Sequence, residues 1–579
     1  MRTHYPRTPH LPWSPGATSD DVRLTGRADL AGLTGSEVVV TEKMDGENTT
    51  LYADGLHARS LDSAHHPSRA RVKALQGRVG SRIPAGRRIC GENMFARHSI
   101  PYDDLAGHFY GFSVWDGDTC LDWDRTVEVL RDLGIPTPPV LWRGVFDARA
   151  ERTLRALRLD TGRQEGYVVR PAGTFAAAEF GRRVAKWVRP AHVVTDTHWM
   201  HAAVVENGLG PSAALWDVRS GAPVDPVALG AAASAGAGDA PAALAAAVGT
   251  APGAGAPPDA PAARAAADAL DAQGLTGDDR LAGVLAALLH RTRRAALTPA
   301  LTGPLGMPPA RRIADLVGLA PSLHRPYPDE ERRAGLTRMS FAARLPVLHA
   351  VAGALATTPE AREQVEWSQL HAQEVREPAG LREAFDGLEP AAADRCLAQA
   401  RQAYALGRIS TAQEAVAATW RWRDGDFPRL IHLVGPSGSG KSTFARALPD
   451  TDTCISLDDL RLARGSRADQ SANTDVLREG LHRLEEALVP GATVVWDATS
   501  LNPHQRGLVH AVAHRRDALL THAVAWAGEA ELTARNARRA HPVPPEVLES
   551  QLRRFVPPYP GEAHRTWYIG SSGTVEDRA

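Results

Sequence analysis

The chain has 579 residues, of which 66 are lysine or arginine and 67 are aspartate or glutamate, so its formal net charge is −1. This length predicts about three to four domains, and the near-neutral charge argues against a protein wrapped in nucleic acid over its whole surface, although it allows a local basic groove. The cysteines form no Cys-x-x-Cys pair and the first residues contain no apolar run, which argues against a disulfide framework, a structural zinc site and a membrane span. A cytoplasmic protein is therefore expected.

The first stretch that predicts chemistry is the Lys-x-Asp-Gly tetrad at residues 43–46, which follows a β-branched run. This pattern places Lys43 where a strand gives way to a turn, with its amine free to point out of the sheet. Lysine is scarce in the chain. Of the 66 lysine and arginine residues, all are arginine except Lys43, Lys73, Lys186 and Lys441. A lysine retained in such a chain is expected to do what a guanidinium cannot, such as lose its proton to attack or offer a compact charge to a phosphate.

Short β-type runs punctuated by turns extend from residue 38 to about residue 187. The Asp-Gly pair at residues 54–55 predicts a hairpin. The strands and the one helix expected in this region are at residues 49–52, 56–59, 88–90, 108–115, 166–170 and 183–188, with the helix at 123–133. The pattern predicts an antiparallel α+β domain over residues 1–220.

Composition changes twice after this region. Residues 221–268 are alanine, glycine and proline with little else, which predicts a flexible linker with a frayed helix at residues 241–248. Residues 269–425 show helical spacing of apolar side chains and predict an all-α middle domain that acts as a scaffold or positions RNA. Its histidines His290, His324 and His349 have no neighbouring His-Asp pair, so they are expected to be solvated or core residues.

Strands alternate with helices in residues 426–579, which predicts an α/β domain. An apolar strand at residues 429–434 runs into Gly-Pro-Ser-Gly-Ser-Gly-Lys-Ser, the phosphate-binding loop in its strand-loop-helix context. The residues of the loop expected to bind ATP are Gly435, Ser437, Gly438, Ser439, Gly440, Lys441 and Ser442. No glutamate follows Asp497, which argues against a motor ATPase, whereas Asp458 is placed at a strand tip to take a proton from a substrate hydroxyl.

Five segments in order along the first third of the chain resemble the motifs of covalent nucleotidyltransferases, most closely those of phage-type ATP-dependent RNA ligases. The segments that carry this resemblance are residues 43–46, 91–93, 112–116, 165–169 and 184–187, and the lead-in at residues 6–12 is similar to the same group. The resemblance implies that Lys43 attacks the α-phosphorus of ATP and retains AMP. The AMP then passes to a 5′-phosphate end, and a 3′-hydroxyl displaces it.

The resemblance also implies roles for other residues: ribose binding by Glu92, adenine stacking by Phe112, metal binding by Glu165, α-phosphate contact by Lys186, and action on the phosphates by Arg59. Trp115 is an alternative to Phe112 as the stacking residue. Val184 stands where the family commonly has a lysine, so the division of the phosphate contacts stays open. Cationic charge from Lys186 and a bound magnesium ion is expected to lower the pKa of Lys43.

Three segments of the last domain resemble phage-type 5′-hydroxyl polynucleotide kinases, namely residues 458–461, 497–502 and 535–539. This second resemblance implies the following roles: general base for Asp458, contact with the acceptor phosphate for Arg461, ATP phosphates and magnesium for Lys441 and Ser442, acceptor-strand contact for Asp497 and Arg506, and a lid formed by Arg535 and Arg539.

The two resemblances together predict a bifunctional RNA end-repair enzyme that uses ATP and Mg²⁺, or Mn²⁺ in its place. It would phosphorylate 5′-hydroxyl ends and seal 5′-phosphate ends to 3′-hydroxyl ends. Two alternatives stay open, a DNA nick-sealing ligase with a DNA kinase and a nucleotide-gated RNA-binding regulator. No phosphoesterase pattern is found, so a separate 3′-phosphatase is expected to prepare ends that carry a cyclic phosphate.

Overall fold

A computed structural model describes residues 2–19, 21–26, 28–61, 66–160, 162–190, 204–235, 259–464, 473–539 and 541–579. They group into two compact units, Met1–Ala232 with Gly274–Leu281, and Ala233–Gln273 with Ala282–Ala579. Within these described ranges, none of the helices combines the length and the apolar character needed to cross a bilayer.

Antiparallel strand pairing organises the first unit. Its strands are β1 (Glu37–Lys43), β2 (Glu47–Tyr52), β3 (Gly55–Ala58), β4 (Arg87–Asn93), β5 (Phe109–Asp116), β6 (Thr119–Cys120), β7 (Val140–Val145), β8 (Gly166–Pro171), β9 (Phe175–Ala176) and β10 (Ala185–Val188). They form two sheets, with strand orders β10-β8-β1-β7 and β3-β2-β4-β5-β6-β9. The helices of this unit include α1 (Ala70–Val79), α2 (Trp123–Asp132), α3 (Ala148–Arg155), α4 (Phe180–Arg183) and α5 (Ala213–Ser220).

The β-branched run that predicted β1 lies in the core, where Val38 and Val40 pack with Tyr167 and Val169 of the neighbouring strand. The hairpin of β2 and β3 and the helix α2 are confirmed. Strand β7 was missed by the sequence prediction. It pairs with β1 at the edge of the sheet and most of its side chains are exposed or half-buried, so it lacks the alternation of apolar residues that marks a strand.

The segment expected to be a flexible linker, residues 221–268, contains the helix α6 (Pro226–Ser234) and most of the helix α7 (Ala260–Ala272). The apolar face of α7 is buried, including Ala263 and Ala266, so the prediction of flexibility is wrong for these two residues. Alanine is the strongest helix former, and its small side chain allows a helix to approach its neighbours closely. The helix expected at residues 241–248 lies outside the described residues.

Residues beyond α7 form the helices of the middle region. These are α8 (Gly277–Leu288), α9 (Arg294–Leu305), α10 (Met307–Leu319), α11 (Asp329–Ser340), α12 (Leu345–Leu355), α13 (Pro359–Ala372), α14 (Pro390–Ala405) and α15 (Ala412–Ala418). His349 is buried and bonds to the Leu345 carbonyl and the Ser368 hydroxyl, while His324 bonds to the Ala352 carbonyl. The expectation of core or solvated histidines is confirmed for both.

A six-stranded sheet forms the core of the last region. Its strands are β11 (Arg429–Val434), β12 (Thr453–Ser456), β13 (Thr493–Asp497), β14 (Leu519–Ala525), β15 (Arg565–Ile569) and β16 (Val575–Arg578), in the order β12-β13-β11-β14-β15-β16. The first five strands are parallel and β16 is antiparallel. The helices are α16 (Lys441–Ala447), α17 (Leu457–Ala463), α18 (Asn473–Ala487), α19 (Pro503–Arg515), α20 (Glu529–Ala537) and α21 (Pro545–Arg554).

Charged contacts join the helical middle region to the P-loop region within the second unit. The carboxylate of Asp315, which is fully buried, accepts hydrogen bonds from Arg294 and Arg311. Arg294 also donates to the Pro558 carbonyl, and Arg311 donates to Asp577 at 2.7 Å. The helical residues therefore form part of the structure that carries the P-loop.

Candidate active sites

Strand register brings Lys43 to its first partner. β8 pairs with β1 so that Lys43 lies opposite Gly166, and it pairs with β10 so that Lys186 lies opposite Val168. Glu165 directly precedes β8, and its Oε2 lies 2.5 Å from the Lys43 Nζ. Lys43, Glu165 and Lys186 thus meet because β1 and β10 carry the two lysines on either side of β8, which Glu165 directly precedes.

The second sheet supplies Glu92 from β4. The turn that follows Lys43 passes against this strand, and the Gly46 N–H donates a hydrogen bond to the Glu92 carboxylate. A Cβ at position 46 would lie 2.5 Å from the Asn93 carbonyl oxygen, so only glycine fits there. The glycine of the tetrad is therefore required for the close approach that places Glu92 near Lys43.

Carboxylates dominate the electrostatics of this site. Burial alone would lower the pKa of Lys43, but Glu165, Glu92 and Asp45 outweigh burial and raise it. Burial, together with repulsion from Glu165 and Asp45, raises the pKa of Glu92 to about 8 despite the attraction of Lys43. Lys186 and a bound magnesium ion were together expected to lower the pKa of Lys43. In the protein without that ion, the three acidic groups outweigh the positive charge of Lys186, and the effect of the ion stays a prediction.

Lys186 and Arg59 lie close enough to influence one another. Burial lowers the pKa of Lys186, and the positive charges of Lys43 and Arg59 lower it further. The Lys186 Nζ lies 3.8 Å from the Asp21 carboxylate. The Lys186 N–H donates to the Pro9 carbonyl at 2.8 Å, so the lead-in segment that resembles the ligase motif runs along β10 and holds this lysine in place.

Asp45 has a role that the sequence did not reveal. Its Oδ2 accepts hydrogen bonds from the backbone N–H groups of Ser99 and Ile100 at 2.8 and 2.9 Å. The carboxylate thereby fixes a loop 54 residues further along the chain beside Lys43. The aspartate itself is part of the Lys-x-Asp-Gly tetrad. Its partners, however, are backbone N–H groups in a segment without a motif, so the sequence did not show what the aspartate binds.

A β-bulge explains how Phe112 and Trp115 come to share one face of β5. The pairing of β4 with β5 shifts between Cys90 and Gly91, which leaves Phe112 without a partner residue. Trp115 is 1% exposed and packs against Phe175, whereas Phe112 is half-buried beside Tyr5. The burial of Trp115 favours a core role for it and leaves Phe112 as the more accessible ring.

The P-loop adopts its expected position between β11 and α16. Gly435, Gly438 and Gly440 have φ angles of +145°, +84° and +96°, a backbone conformation that other residues rarely adopt. The Lys441 Nζ donates to the Pro436 carbonyl at 2.7 Å. Burial, with a smaller contribution from the charge of Arg539, lowers the pKa of Lys441 to about 8 against the attraction of Asp497 and Asp458.

Two acidic residues lie at the carboxyl ends of the strands beside the loop. Ser456, the last residue of β12, pairs with Asp497 at the end of β13, and Asp458 follows in the first turn of α17. The Arg461 guanidinium donates to Asp458 at 2.7 Å. The side chain of Asp458 is 61% exposed, so it is accessible to a substrate. Ser442, in the first turn of α16, is also exposed.

The predicted lid residues lie on and just beyond α20. Arg535 pairs with Glu531 and donates to the Ser571 carbonyl at 2.7 Å, and Arg539 is exposed. Sequence reasoning missed Gln551 on α21, whose side-chain oxygen accepts a hydrogen bond from the Ser437 N–H at 2.8 Å. The side-chain oxygen of Gln551 thus accepts the hydrogen bond of a loop N–H group of the kind that binds a phosphate oxygen.

Arg506 was expected to contact an acceptor strand, and this prediction is wrong. The residue is 0% exposed, and its guanidinium donates to Glu562 and to the Val556 carbonyl, both at 2.9 Å. A guanidinium held in the core by two acceptors cannot reach a polynucleotide. Its partner Glu562 lies 56 residues further along the chain, so no local pattern distinguished this arginine from a surface one.

Family comparison agrees with this division into two sites. Residues 36–188 match the family model described as RNA ligase, and residues 430–558 match the model described as AAA domain. The chain joins an RNA ligase domain to a kinase-like P-loop domain. The first match contains Lys43, Glu92, Glu165 and Lys186, and the second contains the P-loop.

Similar solved structures were also found. A Naegleria gruberi RNA ligase with pyrophosphate is 20% identical with a TM-score of 0.22, and the match covers 28% of this chain and 52% of that one. An archaeal ATP-dependent RNA ligase is 17% identical with a TM-score of 0.23, and the match covers 32% of this chain and 48% of that one. The chain thus spans about half the length of these structures. Among curated proteins none matches the chain.

The buried position of Arg506 predicts a loss of stability rather than of RNA affinity. Arg506→Met removes the partner of Glu562 and should lower the free energy of unfolding by about 1–3 kcal/mol. The exposed Arg515 on the same helix is the matched control, and Arg515→Met should change the free energy of unfolding by less than about 0.5 kcal/mol. Urea unfolding and RNA affinity would be measured for both variants. Weaker RNA binding by a normally stable Arg506→Met variant would contradict the structural role.

Proposed function

We propose that the protein is a bifunctional RNA end-repair enzyme that phosphorylates 5′-hydroxyl ends and seals 5′-phosphate ends to 3′-hydroxyl ends. The observation that carries this proposal is the placement of Lys43 beside Glu165, Glu92 and Lys186 within the RNA ligase match. The P-loop on the same chain supports the kinase half, because its product is the 5′-phosphate that the ligase half consumes.

The sealing half begins with Lys43. Its neutral amine attacks the α-phosphorus of ATP, a nitrogen–phosphorus bond forms, and pyrophosphate leaves with the electron pair of the broken bond. The AMP is then transferred to the terminal 5′-phosphate of RNA, which regenerates the amine. Attack of a 3′-hydroxyl on that activated phosphate forms the phosphodiester and releases AMP.

Lys43 needs to lose its proton before it attacks. For a lysine with an ordinary pKa near 10.4, deprotonation at pH 7 costs about 4.6 kcal/mol, and the surrounding carboxylates increase this cost. The acidic surroundings fit a divalent cation, because Glu165 and Glu92 offer oxygen ligands of the kind that Mg²⁺ and Mn²⁺ prefer. Such a cation, Mg²⁺ or Mn²⁺, would supply positive charge that disfavours the protonated amine.

Lys186 and Arg59 complete the phosphate contacts of the proposed reaction. Lys186 lies near both Lys43 and Arg59, and these side chains can supply positive charge to balance the phosphates of ATP. Val184, which stands in the place of a second lysine, is 3% exposed and packs in the core with Phe180. We therefore assign the basic contacts to Lys186 and Arg59, and adenine stacking to the accessible ring of Phe112.

The kinase half uses the groups at the carboxyl ends of β11, β12 and β13. Asp458 accepts the proton of the 5′-hydroxyl, the hydroxyl oxygen attacks the γ-phosphorus of ATP, and ADP leaves. Lys441 and Ser442 bind the phosphates, with Ser442 also placed to hold a magnesium ion. Arg461 would turn from Asp458 to the phosphate of the acceptor, and Arg535 with Arg539 would cover the transferred group.

Lys43→Ala should abolish covalent attachment of AMP, because no amine is left to attack. Incubation with α-labelled ATP and magnesium, followed by denaturing electrophoresis, measures the attachment. Lys73→Ala is the matched control, since Lys73 is an exposed lysine on α1. It should be labelled like the wild type, and both variants should keep 5′-kinase activity. A wild-type protein that binds ATP but is never labelled would instead favour a nucleotide-gated regulator.

Asp458→Ala should lower the rate of 5′-hydroxyl phosphorylation by about 10²–10⁴-fold, because the general base is lost. Sealing of ends that already carry a 5′-phosphate should persist. Asp475→Ala is a close control, because Asp475 has the same 61% exposure and the same pairing with an arginine three residues later. Loss of both activities in a folded Asp458→Ala variant would contradict independent sites.

The purified protein should join 5′-hydroxyl RNA to 3′-hydroxyl RNA but leave 2′,3′-cyclic phosphate ends unjoined. In the part of the chain that the structure describes, the helical middle region contributes no residue to a candidate metal cluster of histidine, cysteine or acidic side chains. Enzymes that remove a terminal phosphate usually do so with a metal site of this kind. Electrophoresis of joined RNA with and without an added 3′-phosphatase tests this point, and sealing of cyclic-phosphate ends without that enzyme would contradict it.

A further inference from the structure

Three histidines from three elements converge in the P-loop region. His432 lies on β11, His510 on α19 and His522 on β14. One ring nitrogen of each lies within 4.8 Å of the other two. The Nε2 atoms of His510 and His522 are 2.8 Å apart, so this is a compact group of potential ligands.

Two of these rings carry buried nitrogens that lack a hydrogen-bond partner. His432 and His522 are both 0% exposed, and among the described residues nothing bonds to the Nδ1 of either ring. Leaving a buried polar atom unpaired costs about 1–3 kcal/mol. Such groups are rare in folded proteins, and a bound ion or an ordered water that supplies the missing contact is one of the recognised explanations.

The charge state of the cluster suits a cation. Burial holds the pKa values of His432 and His522 well below the ordinary value, and burial followed by repulsion from Arg506 lowers that of His510 to about 4. Metal ions bind the neutral form of an imidazole. The nearby Arg506 is paired with Glu562, whose carboxylate opposes the effect of Arg506 on His510.

We propose that His432, His510 and His522 bind one divalent transition-metal ion, with zinc as the best fit. Three neutral imidazoles are a common ligand set for zinc, with Zn–N distances of about 2.0–2.1 Å. Tetrahedral geometry at that distance separates the nitrogens by about 3.3 Å. One ring nitrogen of each histidine lies within 4.8 Å of the other two in the structure, so movements of the rings would bring the three nitrogens to this separation.

The position of the cluster indicates a structural role beneath the P-loop. His432 lies three residues before Gly435, and its Nε2 is bonded to the Ser500 hydroxyl at 2.7 Å. The residue before Ser500 accepts the Gly435 N–H through its carbonyl at 2.9 Å. A metal that joins β11, β14 and α19 would fix the strand that leads into the loop and the turn that supports the first glycine of the loop.

Cobalt provides a direct test with the full-length protein. After removal of metal with a chelator, titration with Co²⁺ should produce the visible absorption of four-coordinate cobalt, saturate at one ion per chain, and disappear when Zn²⁺ is added. His510→Cys should add a thiolate-to-cobalt charge-transfer band, because a thiolate then joins the ligand set. His514→Cys, on the exposed face of the same helix, should leave the spectrum unchanged.

The proposal would be overturned by a wild-type protein that takes up no stoichiometric Co²⁺, or by a folded His510→Cys variant with the wild-type spectrum. Should that variant fail to fold, metal content of the wild type decides. Protein incubated with Zn²⁺ and then desalted should retain about one equivalent, and its thermal unfolding midpoint should lie above that of the chelated protein. Zinc-free protein after desalting, with an unchanged midpoint, would mean that the three histidines bind no metal.

Discussion

The pairing of β8 with its two neighbours is the constraint on which the Lys43 site depends. Antiparallel register sets Lys43 opposite Gly166, and a slip of one residue would turn Glu165 away from the lysine. Gly166 also permits the approach of β10, because a Cβ there would lie 2.0 Å from the Trp187 carbonyl oxygen. The identity of one glycine therefore controls whether Lys43, Glu165 and Lys186 can share one site.

The helical middle region acquires a physical role through the contacts that it makes within its unit. Asp315 is buried with two arginines, an arrangement that is stable only when every charge is paired and hydrogen-bonded. One of those arginines, Arg311, forms an ion pair with Asp577 on β16, the antiparallel strand at the edge of the sheet. This network ties the helices to the sheet that carries the P-loop, which supports the scaffolding role expected from the sequence.

The sequence predicted features whose causes are local. The P-loop needs glycines at fixed spacing, and Lys43 needs a strand that ends in a turn, so both were visible in short segments. Features that depend on distant partners were not predictable in this way. Arg506 is buried because Glu562 accepts its hydrogen bond, and Gln551 matters only because α21 brings it to Ser437. The alanine-rich helix α7 was missed because composition alone does not show that a neighbour buries its face.

Two of the four lysines show how each site depends on the charge of its ligand. Carboxylates raise the pKa of Lys43, although the proposed attack needs a neutral amine, while burial lowers the pKa of Lys441 to about 8, although phosphate binding needs a cation. A divalent cation at Glu165 would disfavour the proton on Lys43, and the phosphates of ATP would favour the proton on Lys441. The protein alone thus disfavours the neutral form of Lys43, whereas Lys441 stays mainly protonated at pH 7 despite its lowered pKa. Arginine does not lose its proton, so it could not carry out the attack proposed for Lys43.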